Sequence, residues 1–252
     1  MLLDTAVSYS LAASCSYLPS DRLRGGKSSY VQSLAPGLVY SAQLSVDELC
    51  ASATVFEFAD EDAVLVAFRG STALPNYRSM FQLGLVRSQL TAGAGGGRVH
   101  CGYQEATLQL YERLRPFLDR RAPKRAVFVG HSYGGGTATM CALLYSADRG
   151  GGDTVGDMEV VTFAGPRVGD AAFAASFDSV LGGATTHLVH DKDPVLAQNQ
   201  PLWDALGYVH TGRLQRCAAD SPVLLREDAR SGGIAWNFAD HAQYLGTYMG
   251  PR

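Results

Sequence analysis

Three kinds of side chain follow one another along the chain in an order that fits nucleophilic catalysis. They are a serine in Gly130-His131-Ser132-Tyr133-Gly134, aspartates in Asp191-Lys192-Asp193-Pro194, and a histidine in Asp240-His241. A serine hydroxyl is a poor nucleophile at neutral pH. It needs a base within hydrogen-bond reach and an acid that orients the base. The bare pattern G-x-S-x-G arises by chance in about one in four chains of this composition, so its setting decides. The apolar run Ala126 to Val129 leads into it and a helix-like stretch follows, which puts Ser132 on a sharp strand-to-helix turn. Glycines on either side let neighbouring backbone approach without a clashing Cβ.

In sheets of this kind the acid and the base follow the serine in that order. Asp191 and Asp193 both follow the strand-like Thr186 to His190, and after them only His210 and His241 remain. Asp193 is preferred because Pro194 ends regular structure next to it, and His241 because it opens an apparent helix beside a loop. His210 lies in Tyr208 to Leu214, which alternates like a strand, and is read as structural. His131 abuts the serine and is expected to pack in the turn. The developing oxyanion needs fixed donors: the backbone N–H of Tyr133, and that of Ser71 in the turn Arg69-Gly70-Ser71-Thr72 after the strand Ala63 to Phe68.

These residues must be positioned by an α/β architecture. Thr54 to Ala59 and Ala63 to Phe68 flank Asp60-Glu61-Asp62 as a hairpin, and Ala126 to Val129, Met158 to Ala164 and Thr186 to His190 read as further strands. Helical periods separate them. Leu110, Leu114, Phe117 and Leu118 mark one apolar face; the stretch after Ser132 and Ala171 to Leu181 are two more helices, the latter N-capped by Asp170. Leu3, Ala6, Val7 and Leu11 mark an N-terminal helix. The expectation is a central, mostly parallel sheet flanked by helices, in a single domain over residues 1–252.

With 46% hydrophobic and 18% charged residues, the chain has the composition of an ordinary globular protein. A net charge of -3 and a pI near 6.0 leave no basic surface for nucleic acid. The longest apolar run, Ala63 to Phe68, falls far short of the roughly 20 residues that span a bilayer, so no transmembrane segment is expected. The Gly-rich stretches 91–100 and 148–159 lack a P-loop lysine and read as loops. Five cysteines without a CxxC pair give no support to a metal site. Their odd number, and an N-terminus with Asp4 early and no basic residue before Arg22, lean towards the cytoplasm, with secretion open for a processed form.

Taken together, several segments resemble the class 3 lipases, the fungal triacylglycerol lipase family with an α/β-hydrolase-type fold. VAFRGST is similar to that family's oxyanion strand and turn, RVHCGYQEA to its V-H-x-G-aromatic segment, and VFVGHSYGGGTA to its nucleophile turn. TFAGPRVGD, HDKDPV and DHAQYLG resemble its P-R-V-G, catalytic-aspartate and catalytic-histidine segments. The resemblance covers most of Val64 to Gly246. It implies Ser132, Asp193 and His241 as a triad, Ser71 and Tyr133 as the oxyanion hole, and chemistry that requires neither metal nor organic cofactor. One departure stands out: where the family often has N-W-x-x-D, this chain has Asn76-Tyr77-Arg78-Ser79-Met80, without the acid.

The implied substrate is an ester or lipid, taken at a lipid–water interface if residues 72–88 form a lid. Tyr77, Met80, Phe81 and Leu85 fall at i, i+3, i+4 and i+8, an amphipathic stripe fit to cover the serine. A helix packed permanently there leaves an open esterase for short or aromatic acyl groups. Phospholipids, galactolipids, acyl transfer to an alcohol, and a non-catalytic scaffold are the other readings.

Overall fold

The computed structural model describes residues 2–24, 31, 35–72, 83–90, 96–150, 157–190, 193, 200–224 and 241–251. Seven strands form the central sheet, in the spatial order Leu38–Val46 (β1), Ala51–Phe58 (β2), Ala63–Phe68 (β3), Arg125–His131 (β6), Met158–Phe163 (β7), Thr185–Val189 (β9) and Arg213–Arg216 (β11). The first three pair antiparallel, and every pairing from β3 to β11 is parallel. A smaller antiparallel sheet runs Tyr208–Val209 (β10), Gly169–Asp170 (β8), Arg98–His100 (β5) and Leu85–Arg87 (β4). Gln243–Tyr244 (β12) and Thr247–Tyr248 (β13) form a hairpin.

Both faces of the large sheet are covered. Val64, Val66 and Phe68 of β3 and Phe128 of β6 meet the helices Cys101–Arg121 (α3), Tyr133–Asp148 (α4) and Ala171–Leu181 (α5). Leu65 and Ala67 of β3 and Val127 and Val129 of β6 point the other way, towards Leu3–Cys15 (α1) and the β12–β13 hairpin. This two-residue alternation within strands buried on both sides explains why they read as continuous apolar runs. Each such Val, Leu or Phe contributes about 1.5–3 kcal/mol by leaving water. Two further short α-helices are Ser20–Leu23 (α2) and Gln200–Ala205 (α6), and Asp47–Leu49 and Gly182–Ala184 are single 3-10 turns. Asp170 caps α5 as expected, accepting from the Phe173 N–H at 2.9 Å. Among the described residues, no helix is long and apolar enough to cross a membrane.

Four expectations need correction. No helix runs on from His241: from Gln243 the chain forms the β12–β13 hairpin, because Leu245 (φ 52°) and Gly246 (φ 76°) form a turn with two successive positive φ angles, which reverses the chain. Tyr208 to Leu214 is not one strand: Gly212, at φ 58°, breaks it, and β10 and β11 join different sheets. The buried stripe of α1 runs through Ala6, Tyr9, Ala12 and Ala13, while Leu3 is exposed and Val7 and Leu11 are half-buried. Alanines let the helix lie close on the sheet, and the Tyr9 hydroxyl donates to Glu159 at 2.7 Å. Finally, Leu85 does not continue a lid helix. It lies in β4, opposite His100 of β5, where the antiparallel ladder imposes an extended backbone. Tyr77, Met80 and Phe81 lie outside the described residues, as does Asp191.

Candidate active site

The loop-free junction between β6 and α4 places Ser132 at the mouth of the parallel sheet, with φ 53° and ψ −123°. A non-glycine residue held there stores about 1–3 kcal/mol and persists only where its surroundings over-determine it. They do so here. The Ser132 N–H donates to the Phe163 carbonyl at the end of β7 (2.9 Å), and the Gly135 N–H donates back to the Ser132 carbonyl (2.8 Å). A Cβ on Gly130 would collide with the Gly134 carbonyl, and one on Gly134 with the Phe68 carbonyl. The two glycines therefore allow the first turn of α4 to rest directly on the end of β3.

The structure brings Ser132, His241 and Asp193 together from three places in the sequence. His241 Nε2 is 2.8 Å from Ser132 Oγ, and His241 Nδ1 is 2.9 and 3.0 Å from the two Asp193 carboxylate oxygens. A carboxylate only accepts, so Nδ1 carries the proton and the Nε2 lone pair faces the serine hydroxyl. That is the tautomer of a general base aimed at a nucleophile. Asp193 follows the end of β9 and is fully buried. The Tyr244 hydroxyl donates to its Oδ2 at 2.7 Å. Burial, then the neighbouring Asp193 charge, push the Tyr244 hydroxyl well above its usual pKa, so it stays a donor.

Ser71 and Tyr133 sit where their segments meet the elbow. Tyr133 opens α4, and the N–H groups of a first helical turn have no carbonyl partner within the helix. Ser71 follows Gly70, where an added Cβ would lie 2.8 Å from the His131 carbonyl. His210 does not join this cluster of three; its ring lies 5.8 Å from that of His187, and burial, with the nearby His187 and Arg167, lowers its pKa to about 3. Among the described residues, no group of three or more His, Cys, Asp or Glu side chains is placed to hold a metal.

The contacts of two residues escaped sequence reasoning. One is Tyr244 on Asp193. The other is His131, whose Nδ1 lies 2.7 Å from the Tyr17 hydroxyl and whose Nε2 lies 2.8 Å from the His241 backbone carbonyl. Tyr244 falls three residues after His241, within the DHAQYLG segment, and that spacing was its one available signal. Nothing local linked Tyr17 to His131.

A family model described as lipase (class 3) matches residues 65–202, more than half of the chain. The chain belongs to the class 3 lipases. Within the family it is 30% identical over 152 residues to secreted mono- and diacylglycerol lipase 1 of Fusarium solani, covering 59% of this chain and 42% of that protein. It is 28% identical over 204 residues to a lipase of Rhizomucor miehei, covering 75% and 54%. It thus spans about half the length of the curated relatives it matches. The solved structure of Rhizomucor miehei triacylglyceride lipase superposes with a TM-score of 0.78 at 21% identity, covering 98% of this chain and 96% of that one. The fold is accordingly the α/β-hydrolase fold of that lipase. The cytoplasmic leaning drawn from the N-terminal residues and the odd cysteine count has no support here, since the Fusarium relative is named as secreted.

Proposed function

We propose that this class 3 lipase is a serine carboxylic-ester hydrolase acting on acylglycerols through Ser132, His241 and Asp193. The observation that carries the reading is the alignment of Ser132 Oγ, the His241 imidazole and the Asp193 carboxylate over 2.8 and 2.9 Å on a strained elbow. Ser132 Oγ attacks the ester carbonyl carbon as its proton passes to His241 Nε2, and Asp193 steadies the imidazolium. The Tyr133 and Ser71 N–H groups are proposed to bind the oxyanion. The C–O bond to the alcohol then breaks, and the alcohol leaves with the proton from Nε2. Water next gives a proton to Nε2 and attacks the acyl-enzyme; the bond to Ser132 breaks, Oγ recovers the proton, and the fatty acid is released.

Acylglycerols are favoured because the Fusarium relative is named for them, and secretion replaces the cytoplasm as the proposed location on the same ground. A single domain with a lid within residues 72–88 is retained as part of the proposal, without Leu85. The test is hydrolysis of p-nitrophenyl esters from acetate to palmitate, and of diacylglycerol emulsions, with Ser132→Ala as control. We expect rates that favour long chains and rise when the substrate aggregates, and a loss on the order of a million-fold in kcat for Ser132→Ala. A tenth of wild-type turnover left in that variant would overturn the nucleophile. Preference for soluble short esters would make the protein an esterase.

A further inference from the structure

His131 is buried at the last position of β6, and the mechanism above makes no use of it. Its surroundings are nevertheless specific. The His241 backbone carbonyl, 2.8 Å from Nε2, can only accept, so Nε2 must carry the proton. In a neutral ring Nδ1 is then a lone pair, and the Tyr17 hydroxyl, 2.7 Å away, must donate to it. Neutrality is enforced: burial first, and repulsion from His241 second, lower the His131 pKa to about 3. The two imidazole rings are 5.1 Å apart. A Cβ on Gly70 would collide with the Tyr17 hydroxyl, so this hydroxyl also lies against the turn that leads to Ser71.

We infer that His131 is a positioning residue for the base: as the neutral Nε2–H tautomer, with the Tyr17 hydroxyl donating to its Nδ1, it donates to the His241 carbonyl and so fixes where the His241 ring sits over Ser132. The chain of contacts Tyr17–His131–His241 ties the turn after α1, the end of the nucleophile strand and the histidine into one rigid unit. Asp193 and Tyr244 set the tilt of the His241 ring from its Nδ1 side; His131 sets the placement of its backbone. A base displaced by about 1 Å can lose on the order of 100-fold in rate, so a backbone anchor for His241 has kinetic weight. The inference rests on the proposed role of His241, and the experiment separates the two.

Four variants, His241→Ala, His131→Leu, His131→Gln and Tyr17→Phe, are to be assayed for kcat and KM on p-nitrophenyl butyrate, with melting temperature and imidazole 15N NMR at pH 7. His131→Leu is expected to lower kcat by about 10- to 100-fold with KM changed less than about twofold. His131→Gln, whose amide reaches as far as Nε2, should restore at least about a third of kcat. The wild-type spectrum should show His131 as the Nε2–H tautomer, and Tyr17→Phe should disturb that signal and lower kcat. An inactive His241→Ala beside a His131→Leu enzyme within about twofold of wild-type kcat would overturn the anchor alone. Equal losses in the Leu and Gln variants, in step with melting temperature, would also overturn it in favour of plain packing. An active His241→Ala would instead overturn the base and the anchor with it. If His131→Leu does not fold, Tyr17→Phe decides, and an unchanged kcat there with an unshifted Nδ1 resonance would sink the inference.

Discussion

The Tyr244 hydroxyl donates to Asp193 Oδ2 across 2.7 Å, the same carboxylate oxygen that lies 2.9 Å from His241 Nδ1. A buried carboxylate needs every donor it can find, and here a tyrosine two residues beyond an alanine supplies one from the strand that follows the histidine. Tyr244→Phe removes one hydrogen bond to a charged group and should cost about 1.5–3 kcal/mol of stability, with a moderate fall in kcat. Asp193→Asn should cost far more in rate, on the order of 10,000-fold, because an amide N–H favours the wrong tautomer of His241. Denaturant melts and steady-state rates on both variants check the ranking. If Tyr244→Phe proves as damaging to kcat as Asp193→Asn, the hydroxyl does more than support the carboxylate.

Gly134→Ala tests the elbow itself. Its new Cβ would press on the Phe68 carbonyl at the end of β3, which cannot move without shifting the turn that carries Ser71. Overpacking of this kind costs about 1–3 kcal/mol. We expect a folded protein of lowered melting temperature and at least tenfold lower kcat, whereas Gly183→Ala, at a position with open space around it, should leave both unchanged. Wild-type turnover in Gly134→Ala would show that the turn is not held as described.

Buried histidines make stability depend on pH. Burial lowers the pKa of His187 to about 4, and burial with repulsion from His241 lowers that of His131 to about 3, against 6.5 when exposed. The unfolded chain therefore takes up these protons first as pH falls. Both contributions are complete above about pH 6.5 and shrink from there towards pH 4 for His187 and pH 3 for His131, by up to about 1.4 kcal/mol per unit for each group. The His187 ring has the Thr162 and Thr211 hydroxyls at 2.7 and 3.1 Å, so His187→Gln keeps polar partners while removing the titration. Melting temperatures from pH 7.5 to 4.5 should fall less steeply in that variant. Parallel curves would refute the assignment.

Cysteine labelling offers a check on packing. Cys15, Cys141 and Cys217 are buried, and burial together with the nearby Asp193 pushes the Cys217 thiol up to about 12. At pH 8 a thiol reagent should leave these three untouched in the native protein and modify them after denaturation. Rapid native labelling of Cys217 would contradict its place behind Asp193.

Much of this was legible beforehand where chemistry and local pattern coincide. Ser132 was readable because an apolar strand runs into it and a helix runs out. Asp193 and His241 were readable because chain order limits the candidates to two of each. The hairpin after His241 was not, since Leu245 is an unusual residue for a positive φ and its apolar neighbours mimic helical spacing. The small sheet of two- and three-residue strands carries too short an alternation to see. The Tyr17–His131–His241 contacts join positions more than a hundred residues apart, and no periodicity reports on such pairs.

The alternation along β6 ends in Ser132 without an intervening loop. Ala126 and Phe128 face one wall of the core and Val127 and Val129 the other, so the parity of the strand also decides on which side the hydroxyl emerges. Inserting or deleting one residue in β6 would exchange Phe128 with its neighbours and turn the hydroxyl away from His241 in the same stroke. The nucleophile and the core are thus set by one strand register and cannot be changed separately. Changes to the proposed substrate range are thereby left to the segments around the elbow.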